Sequence, residues 1–389
     1  MTHISRRTFF RQALSFCLAA AFPPFSPSLL PATTVSHLSL EEMIGAMVIG
    51  GFRGFKVSKT LPVAGEIRRE DLGGVVLYDY DVPTHTPHRN IASPAQVTSL
   101  CKGLQSLRPA PLTIAIDEEG GRISRLKQKY GFPPTVSAQA LGKRNDPSYT
   151  YRRALGIAKT LKSVGITLNF APVVDLNINP DNPVIGRLQR SFSADPDVVI
   201  HQALAFIRAH HDLGIKCTLK HFPGHGSSTT DSHLGFVDIT DTWSPIELKP
   251  FQAIIQAKKA DAVMTAHVFN KRLDTRYPAT LSKRIVTGIL RDRMGYDGVI
   301  ISDDMQMGAI RKYYGFEQAI TLAIQAGIDI LIIANNTIYD PTAIPRALAI
   351  IRGLVDRGTI SLSRIEASYR RIMKLKAGQV PQKGHVKTS

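Results

Sequence analysis

The chain has 389 residues, 43% of them hydrophobic, and a formal net charge of +17 at pH 7. This share of hydrophobic residues is enough for a large core, so the composition excludes an intrinsically disordered chain. The positive charge favours anionic partners by long-range attraction, but the sequence contains no RNA- or DNA-binding motif, so we expect no nucleic-acid partner.

Residues 1–34 are predicted to be an export signal of the twin-arginine type. The stretch ISRRTFFRQ places Arg6 and Arg7 before the apolar run ALSFCLAAAF, and prolines and small residues follow; the alternative is a chance pair of arginines before a hydrophobic helix. Because the apolar run is too short to span a bilayer, we expect a periplasmic or otherwise exported protein with no stable membrane insertion after signal removal. Removal would leave Cys101 and Cys217, too few for a disulfide framework, and the sequence leaves their pairing open.

From about Ser39 onward, short apolar runs alternate with longer amphipathic stretches, and each run is nearly continuous in hydrophobicity, as a strand buried on both faces should be. The runs are Met47–Phe52, Gly73–Tyr78, Leu112–Asp117, Ile166–Asp175, Ile215–His221, Ala260–His267, Gly298–Asp304 and Ile328–Asn335. This alternation predicts a single α/β domain, a (β/α)8 TIM-type barrel, over residues 35–379, followed by a basic tail at 380–389. An open doubly wound sheet is the alternative, but no GxGxxG motif follows the first run.

Polar side chains gather at the carboxyl ends of these runs, where barrel enzymes carry their catalytic groups. They are Asp117 at the end of the third run, Lys220 and His221 at the end of the fifth, His267 at the end of the sixth, and Asp303 and Asp304 at the end of the seventh. Any one of them could be an ordinary solvated strand end, and His267 could be a histidine satisfied by backbone. Several together indicate one shared site at the mouth of the barrel.

The segment KHFPGHGSSTTDSH, from Lys220 to His233, combines three histidines, an aspartate and a lysine. Pro223, Gly224 and Gly226 exclude a helix, and the segment is too polar for a buried strand. It could be a zinc site, a solvated loop or part of a catalytic site. Zinc sites often use histidines at a fixed helical spacing, which is not available here.

Five long motifs occur in order along the chain: IDEEGGRISRL, NPVIGRLQRSFSADP, LKHFPGHGSSTTDSHLGF, the pair MTAH…YPATLS, and GVIISDDM. They resemble the successive motifs of family-three glycoside hydrolases, and most closely those of the β-N-acetylglucosaminidase (β-N-acetylhexosaminidase) branch. The resemblance extends over about residues 38–378 and implies a barrel of the kind predicted above.

The resemblance also implies roles for single residues. Asp303, the first aspartate of SDD, matches the catalytic nucleophile, His233 the general acid/base, and Asp231 its orienting partner. The positions that hold the sugar match Asp117, Arg125, Arg190, Lys220 and His221. The loop GRLQRSF is longer than the GERSF of many members, and we align Arg190, rather than Arg187, with the binding arginine.

The residue types support this assignment on chemical grounds. Retaining hydrolysis needs a carboxylate nucleophile and a second group that protonates the leaving oxygen. Alternate side chains of an extended segment point the same way, so Asp231 can fix the tautomer of His233 and stabilise its imidazolium. Glu118 and Glu119 are rival acids, but they precede a Gly-Gly turn with no clear partner.

On the sugar side, we expect Lys220 and His221 to donate hydrogen bonds to hydroxyl groups and Asp117 to accept them. The expected activity is that of a retaining exo-β-N-acetylglucosaminidase acting on peptidoglycan fragments or chitooligosaccharides through a covalent glycosyl–Asp intermediate. We expect a carbohydrate substrate, a monomer, and no cofactor or metal. The alternatives are a β-N-acetylglucosaminide phosphorylase, a non-catalytic cell-wall sugar-binding protein on the same barrel, and a zinc site. The zinc ligands would be His221, His225, Asp231 and His233.

Overall fold

The fold is a closed barrel of eight parallel strands with helices around it. A computed structural model describes residues 39–58, 60–69, 72–87, 89–232 and 235–377. The strands are β1 (Val48–Gly51), β2 (Gly74–Leu77), β3 (Thr113–Ile116), β4 (Leu168–Asn169), β5 (Lys216–Phe222), β6 (Ala262–Thr265), β7 (Val299–Asp304) and β8 (Ile330–Ile333). They pair in chain order, and β8 closes on β1. The predicted (β/α)8 barrel is therefore confirmed.

Each predicted apolar run contains one strand. In β1, β2, β3, β6 and β8 every residue is buried, because side chains fill the barrel interior and helices cover its outside. The fourth run gives a strand of only 2 residues, β4. That run continues through Pro172, which has no N–H to donate to a sheet, and beyond it a single parallel bridge joins Val173 to Lys220.

The outer layer is made of helices that follow the strands. They are α1 (Leu40–Ala46), α2 (Pro62–Arg69), α3 (Pro94–Gln105), α4 (Ala138–Arg144), α5 (Pro147–Val164), α6 (Pro196–His211), α7 (Lys249–Gln256), α8 (Gly308–Arg311), α9 (Phe316–Ala326), α10 (Ala343–Asp356) and α11 (Leu362–Ala377). A π-helix spans Arg284–Arg293, and 3-10 turns span Gln128–Tyr130, Pro245–Leu248 and Ala279–Leu281. The longest of these helices, α5, shows which residues determine where a helix begins and ends. Asp146 caps its first turn through Tyr149 N–H, and Gly165 ends it with a φ of +87°.

All described residues belong to one compact unit. The predicted export signal at 1–34 and the basic tail at 380–389 lie outside the described residues. Within the described ranges, no helix combines the length and the apolar character needed to cross a membrane. Cys101 and Cys217 are both buried and carry free thiols.

Candidate active site

A cleft of about 310 Å³ lies at the carboxyl ends of the strands. Seven of the predicted site residues line it: Asp117, Arg125, Arg190, Lys220, His221, Asp231 and Asp303. The remaining one, His233, lies outside the described residues. The barrel therefore brings to one cleft side chains from the ends of β5 and β7 and from the segments that follow β3, β4 and β5.

Lys220 forms the floor of the cleft. Its side chain is 1% exposed, and its ammonium lies 2.7 Å from Asp117 Oδ1 and 2.7 Å from Glu119 Oε1. Burial alone would raise the pKa of Asp117, but the charges of Lys220 and Arg125 hold it well below its ordinary value. Asp117 is therefore a permanent acceptor at neutral pH, as a group that binds sugar hydroxyls must be.

Arg190 is fixed by a bidentate ion pair. Its Nε and Nη2 donate to the two carboxylate oxygens of Glu119 at 2.9 and 2.8 Å, and its Nη1 donates to the carbonyl of Val184 at 2.8 Å. We expected no clear partner for Glu119, and the structure differs: Arg190 and Lys220 both bind it. The partner was invisible in the sequence because Arg190 lies 71 residues further along the chain.

The structure places the two candidate arginines of the longer loop in different environments. Arg190 lines the cleft, whereas the side chain of Arg187 is 66% exposed and pairs with Asp181 at 3.6 Å. Gln189, between them, adopts the left-handed region with a φ of +59°. Leu188, in the same loop, also lines the cleft.

Glu118 does not line the cleft, and its side chain holds backbone groups next to the cleft. Its Oε2 accepts the backbone N–H groups of Arg125 and Leu126, each at 2.9 Å. Its own peptide is held by Asn169, whose side chain accepts from Glu118 N at 3.0 Å and donates to Glu118 O at 2.9 Å. Burial raises the pKa of Glu118 to about 7. This glutamate therefore orients the backbone of Arg125 and does not itself face a ligand.

Asp175 holds His221 in a single orientation. One carboxylate oxygen accepts His221 N–H at 3.1 Å, and the other accepts the ring Nδ1–H at 2.7 Å. The remaining ring nitrogen, Nε2, lies 3.2 Å from Arg190 Nη2. Burial and the positive charges of Arg190 and Lys220 place the pKa of His221 well below its ordinary value, so the ring is neutral.

This arrangement corrects one expectation and adds one residue. We expected His221 to donate a hydrogen bond to the sugar, but its only ring N–H is committed to Asp175, and Nε2 accepts from Arg190. Sequence reasoning missed Asp175 as a site residue. It ends the fourth apolar run just as Asp117 ends the third and Asp303 the seventh, and this position was the available signal.

The two aspartates at the end of β7 are used differently. Asp304 Oδ1 accepts the N–H groups of Gln306 and Ala334 at 3.1 and 3.0 Å, which ties it to the end of β8. Asp303 is half-buried, lines the cleft, and accepts Asp304 N–H through Oδ1 at 2.8 Å. His267 is buried behind them, with Nε2 2.9 Å from the carbonyl of Asp304. Asp304 also lines the cleft but is buried, so Asp303 is the more accessible member of the pair.

The segment after β5 begins with a second fixed histidine. His225 N–H donates to Asp175 at 2.9 Å, and its ring nitrogens lie 2.7 Å from Ser228 Oγ and 3.2 Å from Ser232 Oγ. The zinc alternative would require His221 and His225 as ligands, yet both rings are bonded to protein groups. Within the part of the chain that the structure describes, no three His, Cys, Asp or Glu side chains are grouped as metal ligands.

Residues 40–375 match the glycosyl hydrolase family 3 N-terminal domain. Beta-hexosaminidase A of Pseudoalteromonas piscicida is 35% identical over 382 residues, covering 89% of this chain and 62% of that protein. A beta-hexosaminidase of Xylella fastidiosa strain M23 is 36% identical over 316 residues, covering 78% of this chain and 90% of that protein.

Solved structures give the same result. A glycoside hydrolase family 3 β-N-acetylglucosaminidase from Paenibacillus sp. FPU-7 superposes with a TM-score of 0.81 at 35% identity, covering 88% of this chain and 63% of that one. A β-N-acetylhexosaminidase from Beutenbergia cavernae superposes with a TM-score of 0.77 at 26% identity, covering 88% and 99%. The chain spans less than two thirds of the Pseudoalteromonas and Paenibacillus proteins. With its matched domain and these relatives, it belongs to glycosyl hydrolase family 3.

Proposed function

We propose that this chain is a retaining exo-β-N-acetylglucosaminidase. The observation that carries the proposal is the position of Asp303 in one cleft with Asp231 and the Lys220–Asp117 ion pair. A carboxylate nucleophile and a set of fixed donors and acceptors are what retaining cleavage of a polyhydroxylated ligand requires. The relatives named beta-hexosaminidase support N-acetylhexosamine as the sugar.

In the first step, Asp303 attacks the anomeric carbon while the bond from that carbon to the leaving oxygen breaks. His233 gives its proton to the leaving oxygen, and Asp231 stabilises the charge that the imidazole carries before this transfer. In the second step, His233 takes a proton from water, the water oxygen bonds to the anomeric carbon, and the ester to Asp303 breaks. The product keeps the β configuration because the anomeric carbon inverts twice.

The size of the cleft supports exo cleavage. Its volume of about 310 Å³ is at the lower end of the range of roughly 300–1,000 Å³ for small-molecule sites. Such a cleft suits one terminal sugar with the rest of the substrate outside.

Proton NMR of the first-formed product tests the mechanism. The β-anomer should appear first, and Asp303→Ala should lose nearly all turnover. Appearance of the α-anomer first would rule out the covalent route. Rates with and without inorganic phosphate, with analysis for sugar 1-phosphate, separate hydrolysis from phosphorolysis, and loss of activity on chelation would favour the zinc alternative.

The acid/base assignment has its own test. His233→Ala should lose more activity on oligosaccharides than on aryl glycosides, because only a poor leaving group needs the proton. Asp231→Ala should cost less than His233→Ala, since an orienting group only improves the acid. Equal losses on both kinds of substrate would count against the role of His233.

We further propose that the substrates are peptidoglycan fragments in the cell envelope, reached by twin-arginine export. The positive charge that remains after Arg6, Arg7 and Arg11 are removed with the signal would attract anionic muramyl peptides, and this attraction weakens with salt. Specificity constants for a muramyl-peptide fragment and a chitooligosaccharide of similar length, at low and high salt, test this. The anionic substrate should lead at low salt and lose its advantage at high salt. A salt-independent preference for the neutral oligomer would refute it.

A further inference from the structure

A buried glutamate, Glu247, contacts the start of the loop that leads from β5 to Asp231. Glu247 lies in the 3-10 turn Pro245–Leu248 and is 0% exposed. Its Oε1 accepts the hydroxyl of Ser227 at 2.7 Å, and its Oε2 accepts Gly226 N–H at 3.2 Å. Glu247 does not line the cleft, so any role in the reaction would act through these two residues.

The loop fits closely over this glutamate. A β-carbon added at Gly224 would lie 2.6 Å from Glu247 Cβ, and one added at Gly226 would overlap the carbonyl oxygen of Leu176. Gly226 is therefore confined between the backbone at Leu176 and the carboxylate of Glu247. The two hydrogen bonds to the carboxylate therefore hold one side of this segment, and Asn182, which donates to the carbonyls of His225 and Gly226 at 2.7 and 3.3 Å, holds the other.

A chain of contacts continues from this point to the cleft. Ser228 and Ser232 both bond to the ring of His225, which lies one residue before Gly226. Ser232 also accepts Ala309 N–H through its carbonyl at 3.3 Å, which joins the loop to α8. Asp231 precedes Ser232 and lines the cleft, and His233 follows Ser232 in the chain.

We propose that Glu247 is a positioning residue that, through Gly226 and Ser227, sets the loop that brings Asp231 to the cleft and carries the proposed acid/base His233 two residues further along the chain. The inference rests on the function proposed above. It differs from a purely structural role in one respect: it assigns the effect of Glu247 to proton donation. Loss of the carboxylate should therefore slow reactions that need a proton on the leaving group more than those that do not.

The test uses the full chain with Glu247→Ala, Glu247→Gln and Ser227→Ala. We expect kcat/KM of Glu247→Ala on a chitooligosaccharide to fall about tenfold or more beyond its fall on an aryl glycoside. Ser227→Ala should show the same pattern more weakly, and Glu247→Gln should retain most activity because the amide oxygen still accepts a hydrogen bond.

Asp274→Ala is the matched control. Asp274 is also a buried carboxylate, it accepts Ser282 Oγ at 2.5 Å and Arg276 N–H at 2.8 Å, and it lies in the neighbouring loop after β6. Among the residues that the structure describes, it bonds to none in the loop that carries Asp231. Its removal should change kcat/KM on both substrates by the same factor.

Trp243 gives a readout that is independent of activity. It is the single tryptophan of the chain, it is buried, and its Nε1–H donates to the carbonyl of Pro223 at 3.0 Å, at the start of the loop. Glu247→Ala should shift Trp243 emission to longer wavelength and increase its quenching by acrylamide, whereas Asp274→Ala should not.

The outcomes are distinct. Equal losses on both substrates in Glu247→Ala, with unchanged Trp243 emission, would overturn the inference. If Glu247→Ala does not fold, Ser227→Ala decides by the same comparison of substrates. A wild-type protein that releases no sugar would overturn the proposed function, and the emission of Trp243 would still report whether Glu247 holds the loop.

Discussion

Replacing Glu118 with glutamine should make the difference in stability between variant and wild type depend on pH. Burial raises the pKa of Glu118 from 4.5 to about 7. Between these values the folded state binds more protons than the unfolded state, so the free energy of unfolding of the wild type falls as the pH rises. This pKa shift contributes about 3 kcal/mol to the free energy of unfolding below pH 4.5, and the contribution is lost once the pH exceeds about 7.

Glu118→Gln has no such proton, and its amide oxygen can still accept the N–H groups of Arg125 and Leu126. The variant should therefore gain about 3 kcal/mol relative to wild type between pH 4.5 and pH 8. Guanidinium unfolding at several pH values measures this gain. Glu366→Gln, on α11, is the control: its side chain is 44% exposed and pairs only with Arg370 among the described residues, at 3.8 Å, so the variant should stay within about 0.5 kcal/mol throughout. A Glu118→Gln difference that is the same at every pH would refute the reasoning.

Three further predictions follow from the cleft and the N-terminus. Arg190→Ala should reduce kcat/KM at least about a hundredfold, because a buried charge-assisted pair is lost, whereas Arg187→Ala should change it less than about twofold; similar losses would reverse the alignment of the two arginines. Lys220→Met should lower the free energy of unfolding by about 3–5 kcal/mol, since the buried carboxylates of Asp117 and Glu119 would lose the cation that they share, and thermal denaturation measures it. Replacing Arg6 and Arg7 with lysine should leave precursor in the cytoplasm on cell fractionation, and continued export would show that these arginines are not the signal.

The barrel could be predicted because the signal of each strand is local. Continuous apolar runs of six to ten residues bounded by glycine or polar residues mark strands buried on both faces, and all eight contain a strand. The length of β4 could not be predicted in the same way. The apolar run extends to Asp175, but Pro172 has no N–H to donate to the sheet. The regular pairing of β4 therefore ends at Asn169.

The site could be predicted where a residue is marked by its own position at a strand end, as Asp117, Lys220 and Asp303 are. Pairings across the barrel could not. Glu119 meets Arg190 across 71 residues, and Asp175 meets His221 across 46. Such pairs come together only when the barrel closes, and a single sequence contains no record of which strand ends face each other.

The fixed neutral state of His221 has a consequence for the pH–rate profile. Because its pKa lies well below the ordinary value, His221 stays neutral over the whole working pH range. Asp117 stays ionised over the same range. Neither group can then contribute an inflection to kcat/KM. We would then look first to the proposed nucleophile Asp303 and the proposed acid/base His233 for the limbs of a bell-shaped curve.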